Sequence, residues 1–217
     1  MSNDDQLKVR QTVSKKKSFK ELTIVRDIIF WIDLVGEGQN ENAIFARPFN
    51  EKEACPQKLT SKKYNIKNNF HGYGGKSYKC INFKNRFYLI WIDQITKAVW
   101  FQIFKEALSI YCSPNIYLDS IQEPRQLSKS IDGNFDSSFV ISENNLLYGI
   151  CEINNRDYLF SLNLKKTKLN IHLIKKFKNF AGELSSNKSD ILLSWIEWDS
   201  PYMPWEKNEL FFEIQFD

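Results

Sequence analysis

One pattern recurs four times along this chain and constrains its fold more than any other feature. It consists of a short aromatic and β-branched run, a polar connection, and a second such run. Ile28-Ile29-Phe30-Trp31 leads to Ala43-Ile44-Phe45-Ala46-Arg47, and Phe87-Tyr88-Leu89-Ile90-Trp91 leads to Ala98-Val99-Trp100-Phe101-Gln102. Leu146-Leu147-Tyr148-Gly149-Ile150 leads to Tyr158-Leu159-Phe160-Ser161-Leu162, and Ile191-Leu192-Leu193-Ser194-Trp195 leads to Glu209-Leu210-Phe211-Phe212-Glu213. Runs of this kind joined by connections such as Asp93 to Lys97 and Asn154-Asn155-Arg156 read as β-hairpins.

The first strands begin at positions 28, 87, 146 and 191, so their separations are 59, 59 and 45 residues. A repeat near this period builds blades that bury one another's faces, with each unit unable to cover its own apolar surface alone. A further element repeats with it. Pro56-Gln57-Lys58-Leu59-Thr60 follows the first hairpin and Pro124-Arg125-Gln126-Leu127-Ser128 the second, and these read as equivalent short strands. Composition agrees: 17 Phe, 9 Tyr and 6 Trp accompany only 2 Met, a mixture that suits pleated sheet better than helix. Trp100 to Tyr111 has some helical periodicity, but its aromatic content and upstream hairpin partner make it a strand. The reading is therefore an all-β, partial β-propeller of about four four-stranded blades over 21–217, with hairpins near 28–47, 87–104, 146–163 and 191–215. A polar, basic arm (1–20) carrying Lys15, Lys16 and Lys17 precedes it; a β-sandwich is the alternative.

The other class signals are weak. Thirty Lys and Arg against 26 Asp and Glu give a net charge of +4, which does not call for nucleic acid. The apolar runs are far too short to span a bilayer, so no membrane partner is expected and the expected location is the cytoplasm. Cys55, Cys80, Cys112 and Cys151 form no C-x-x-C pair, and only His71 and His172 could join them as nitrogen ligands. No metal site, cofactor or disulfide framework is indicated, and each cysteine reads as a small apolar filler.

Two segments carry possible chemistry. Gly74-Gly75-Lys76-Ser77 looks at first like a phosphate-binding loop. Phe70 stands where the motif needs glycine, however, and a strand follows where a helix should begin. The glycines read instead as positions of special backbone geometry. His71 beside Gly72 has the setting of a general base, yet no Ser or Cys nucleophile accompanies it and no G-x-S-x-G exists in the chain, so a hydrogen-bonded structural histidine fits better. The second segment, Trp195-Ile196-Glu197-Trp198-Asp199-Ser200-Pro201-Tyr202-Met203-Pro204-Trp205, crowds three Trp, two Pro and two acids into one hairpin connection. It can wall a ligand channel, with aromatic rings stacking and Glu197 or Asp199 meeting an amine. Alternatively, its Trp residues pack over a neighbouring blade and its acids cap backbone N–H groups.

Together these segments, with Glu209-Leu210 downstream, resemble the H-E-Y-G-G and W-x-x-W-D-x-P-x-M-P-W…E-L motifs of the N-terminal β-propeller of the prolyl oligopeptidase family, in its acylaminoacyl-peptidase or dipeptidyl-aminopeptidase-like branch. The resemblance runs from about Thr23 to Asp217. It implies a propeller that filters peptides and helps to bind their termini above an α/β-hydrolase domain carrying Ser, Asp and His. His71, Tyr73, Glu197, Trp198, Asp199, Tyr202 and Trp205 are the implied substrate-facing candidates, and Gly74, Gly75, Pro201, Met203 and Pro204 the structural ones. Two departures stand out: the Glu of the first motif is Gly72 here, and the hydrolase segment is absent from the sequence, so no catalytic residue carries over. The expectation is a non-catalytic, truncated propeller that gates or docks peptides for a missing or separately encoded hydrolase domain, with a companion chain carrying the remaining blades. Its open blade edges also allow self-association. The alternative is a free-standing β-rich interaction module that holds a protein or small ligand through its Trp/Pro-rich loop.

Overall fold

In a computed structural model, which describes residues 19–35, 41–51, 54–108, 116–128, 132–166, 169–187 and 192–214, the chain forms four antiparallel sheets arranged as propeller blades. Blade 1 holds β1 (Lys20–Val25), β2 (Ile28–Val35), β3 (Glu41–Pro48) and β4 (Gln57–Lys58) in that order. Blade 2 holds β5 (Tyr78–Phe83), β6 (Arg86–Asp93) and β7 (Ala98–Leu108), with β8 (Ile116–Ser120) and β9 (Arg125–Gln126) both paired to β7. In blade 3, β10 (Asn134–Phe135) and β11 (Val140–Ile141) pair with β12 (Leu146–Ile153), followed by β13 (Arg156–Asn163) and β14 (His172–Lys176). Blade 4 has β15 (Phe180–Ser186), β16 (Leu192–Trp198) and β17 (Glu209–Ile214).

All four expected hairpins are present as β2–β3, β6–β7, β12–β13 and β16–β17. Uniform four-stranded blades are not: the sheets have four, five, five and three strands, because short segments double up on β7 and β12 and none covers β17 among the described residues. Lys15 to Lys17 lie outside the described residues. β7 covers Trp100 to Leu108, so the helical alternative fails there, and 109–111 lie outside the described residues. Two tight hairpin turns explain local residue choices. Lys84-Asn85 and Asn154-Asn155 all have positive φ, the conformation a two-residue turn needs to match strand twist and the one that asparagine tolerates.

Burial explains the unbroken apolar runs. β6 presents Phe87, Leu89 and Trp91 to blade 1 and Tyr88, Ile90 and Ile92 to blade 3, so both faces of the strand are covered and polar alternation disappears. Three buried clusters result, one at each junction between consecutive blades, and the third joins Tyr148, Ile150 and Leu159 to Leu193 and Trp195. None of the three joins blade 4 to blade 1. Gly149 is fixed by this packing: a Cβ there would lie 2.6 Å from the ring of Phe160, its cross-strand neighbour.

The repeated Pro-x-x-Leu-Thr/Ser element closes two blades identically. In blade 1 the Leu59 N–H donates to the Ile44 carbonyl at 2.8 Å and the Ile44 N–H donates to Thr60 Oγ1 at 3.0 Å. In blade 2 the Leu127 N–H donates to the Val99 carbonyl at 2.8 Å and the Val99 N–H to Ser128 Oγ at 2.9 Å. Leucine thus supplies a buried side chain and a strand hydrogen bond, while the hydroxyl satisfies the next donor on the edge. Cys80 and Cys151 are buried as expected, and burial pushes the Cys151 thiol up to about 12. Cys55 departs from the filler reading, because it stands exposed ahead of β4; Cys112 lies outside the described residues.

Candidate functional site

The first strands of the four blades converge on a cavity of about 470 Å³. Thr23 comes from β1, Tyr78 and Lys79 from β5, Asp136 to Ser138 from the link between β10 and β11, and Gly182 and Glu183 from β15. The two segments singled out in the sequence supply the remaining walls: Phe70 and Tyr73 to Lys76 from one, Ile196, Trp198, Pro204 and Trp205 from the other.

The first wall is held by its own side chains. Asn68 Oδ1 accepts the Phe70 N–H at 2.9 Å and Asn68 Nδ2 donates to the Lys76 carbonyl at 2.9 Å, which pinches the loop closed. Gly74 adopts φ 87° with its backbone against the Asn68 carbonyl, so a side chain there would be both strained and crowded. Gly72 also has positive φ, 78°. His71 anchors the loop to blades 3 and 4. Its Nε2 lies 2.8 Å from Asp157 Oδ2, with both side chains buried, and that carboxylate oxygen also accepts the Ala181 N–H at 2.8 Å. The His71 backbone N–H donates to Glu152 Oε2, and its ring meets Trp198 edge-on at 5.5 Å. His71 is therefore the hydrogen-bonded structural histidine of the sequence reading. Tyr73, carried two residues on, is half exposed at the mouth of the cavity.

The second wall divides its residues by strand alternation. Trp195 and Glu197 share one face of β16, and the Trp195 indole N–H donates to Glu197 Oε1 at 2.9 Å within buried surroundings. Ile196 and Trp198 lie on the other face and line the cavity. Beyond β16, Asp199 is exposed and its carbonyl accepts the Tyr202 N–H, while Glu206 caps the Met203 N–H at 2.9 Å. Tyr202 is exposed with the Lys207 ammonium 5.3 Å from its ring centre, and Pro201 follows a cis peptide bond. Trp205 does not pack into a core: it is 71% exposed and meets the Tyr73 ring edge-on at 6.4 Å across the cavity mouth. Both sequence readings thus describe part of the segment, the packed one for Trp195 and Trp198 and the exposed one for Trp205.

The acids that line the cavity went unnoticed in the sequence. Asp136 Oδ2 accepts hydrogen bonds from the Ser138 hydroxyl and from the Glu183 N–H, the latter at 3.0 Å. Burial raises its pKa above the ordinary carboxylate range and the nearby Glu183 charge adds to this, while the Ser138 and backbone bonds work against it. Burial likewise raises the Tyr73 phenol, helped by Asp157, Asp136 and Glu152. Two carboxylates beside Tyr73, Trp198 and Trp205 make a wall suited to an ammonium group on an apolar body. Among the described residues, no group of three or more His, Cys, Asp or Glu is placed to hold a metal ion, and no helix is long and apolar enough to cross a membrane.

No family model and no curated protein matches this sequence. Among solved structures, the chain is similar to a puromycin-hydrolysing peptidase of Mycobacterium tuberculosis, with a TM-score of 0.70 and 15% identity over 93% of this chain and 30% of that one. A puromycin hydrolase matches with a TM-score of 0.67 and 14% identity over 92% and 30% of the two chains. The chain has the propeller fold of these peptidases. It spans about 30% of their length, and the similarity lies in the propeller part of a peptidase of the prolyl oligopeptidase family, the family that the two motifs resemble.

Proposed function

We propose that this chain is the non-catalytic propeller portion of a prolyl-oligopeptidase-like serine peptidase, docking or gating peptides for an α/β-hydrolase domain. The observation that carries this reading is the cavity itself, where Asp136 and Glu183 face the same space as Tyr73, Trp198 and Trp205. A peptide entering there brings its amino group to the carboxylates and its first side chain to the rings. Asp136 and Glu183 take the role that the sequence reading gave to Glu197 or Asp199, since Glu197 lies with Trp195 on the β16 face away from the cavity and neither Glu197 nor Asp199 lines it.

Titrating the purified chain with a free-amine tripeptide and with its N-acetylated form, followed by tryptophan fluorescence, tests this. The free-amine peptide is expected to bind more tightly, and Asp136→Asn to weaken that binding about tenfold, the scale of one charge-assisted hydrogen bond, without affecting the acetylated form. Affinity for the free amine should also rise as pH rises through the elevated Asp136 pKa, because only the ionised carboxyl attracts an ammonium. Equal binding of the two peptides at every pH would contradict the reading. Peptidase turnover by the isolated chain, lost on substituting one of its serines, would contradict its non-catalytic part.

The exposed Tyr202 and Trp205 favour a second reading, the free-standing interaction module. A stable monomer with cooperative unfolding in sedimentation and denaturant experiments supports that reading; a chain that becomes soluble only together with further blades and a hydrolase domain, fused or added, supports the first.

A further inference from the structure

The cavity carries charges of both signs, and the two signs come from different blades. Asp136 lies between β10 and β11 in blade 3 and Glu183 within β15 of blade 4, whereas Lys76 and Lys79 line the same cavity from the start of blade 2. Strand alternation explains Lys79. Tyr78 and Cys80 turn into the buried junction with blade 1, so the residue between them on β5 faces the other way, where it is half-buried and lines the cavity. Lys76 is exposed, and its backbone is held by the Asn68 side-chain amide, which donates to its carbonyl at 2.9 Å.

Among the described residues none of these four side chains forms an ion pair within the chain. The groups that lower the Asp136 pKa are the Ser138 hydroxyl and backbone N–H groups, and no lysine ammonium is among them. The lysines therefore do not neutralise the acids, and each pole is left for a ligand. A cavity of about 470 Å³ is of the size that takes a small ligand, and the rings of Tyr73 and Trp198 give it an apolar wall.

We infer that the ligand of this cavity is a short dipolar peptide, whose ammonium meets Asp136 and Glu183 and whose carboxylate, from its C-terminus or from an acidic side chain, meets Lys79 and Lys76. This inference rests on the peptide reading proposed above and deepens it, because the carboxylate as well as the amine is recognised. An extended chain gains about 3.3 to 3.6 Å per residue, so both poles are filled only when few residues separate amine from carboxylate. The selected peptides are short ones with a free amine and a nearby acid.

The test compares binding of Leu-Gly-Gly, its C-terminal amide and Leu-Asp-Gly amide to the full chain by tryptophan fluorescence. Amidation of Leu-Gly-Gly is expected to weaken binding about tenfold, the scale of one charge-assisted hydrogen bond. Recovery with the aspartyl amide assigns the basic pole to any carboxylate within reach, and no recovery assigns it to the C-terminus alone. Lys79→Gln should bring acid and amide to nearly equal affinity, and Lys76→Gln, an exposed change that leaves the core intact, should narrow the difference. Equal binding of acid and amide by the parent, or an undiminished preference in both variants, would overturn the inference. N-acetylation and Asp136→Asn probe the acidic pole, whereas amidation and the lysine variants probe the basic one. Failure of this inference alone leaves the parent's discrimination against the acetylated peptide intact; loss of that discrimination, or no binding of any peptide, is failure of the reading on which it rests.

Discussion

The face that blade 1 turns toward blade 2 and the face that blade 4 turns away from blade 3 are made from the same kinds of residue, yet their fates are opposite. Ile28, Phe30, Ile32 and Ile44 are buried, whereas Leu210 and Phe212 stand in solvent. Strand geometry and hydrophobic patterning are shared by both faces, so neither accounts for the difference. What differs is whether, among the described residues, a following blade receives the side chains. Stability in this molecule is thus largely a property of junctions between blades, as expected where each repeat buries its neighbour.

Substitutions at matched positions can break this contrast. The largest effect is expected for Trp91→Ala, which empties the centre of the first junction where Trp91 meets Tyr64 edge-on. A loss of about 3 to 5 kcal/mol is expected in denaturant unfolding. Gly149→Ala is expected to cost about 1 to 3 kcal/mol, because the added methyl drives the Phe160 ring off the second junction. Phe212→Ala, although it removes a ring of comparable size to many in the core, should change the stability of the isolated chain by no more than about 0.5 kcal/mol. A cost at Phe212 as large as at Trp91 would show that the last face is already covered.

A pH effect sharpens the contrast between cavity and junctions. Because burial raises Asp136, the folded chain holds this proton more tightly than the unfolded chain does. Stability contributed in this way is present at low pH and is lost as pH rises from the ordinary aspartate value through the elevated one. Asp136→Asn should flatten that part of the pH–stability curve while leaving the junctions intact.

Much of this architecture is legible from residue order. The hairpins are, because aromatic and β-branched runs alternate with turn residues, and the closures at Leu59 and Leu127 are, because the same five-residue pattern recurs. The two candidate segments are also legible, and the fold brings them to one cavity through His71 and Trp198. The site's acids were not. Asp136 and Glu183 lie 47 residues apart, one just after β10 and the other in the middle of β15, and each looks like an ordinary polar residue until the Glu183 N–H reaches the Asp136 carboxylate. Trp205 misled in the opposite direction: a tryptophan in a strongly patterned segment suggests burial, but the loop carries it past the edge of β16 into solvent. Glu197 looked available, and only the alternation of β16 shows that it is spent on Trp195.

The claim that junctions decide the fate of each blade is tested most directly by native-state amide hydrogen exchange at three equivalent backbone positions. Ile44 and Val99 donate to the hydroxyls of Thr60 and Ser128, whereas Leu210 occupies the corresponding place on β17, which has no strand beyond it among the described residues. At low protein concentration the Ile44 and Val99 amides should exchange only through large-scale opening, and the Leu210 amide should exchange many times faster. Equal, strong protection of all three would contradict the account.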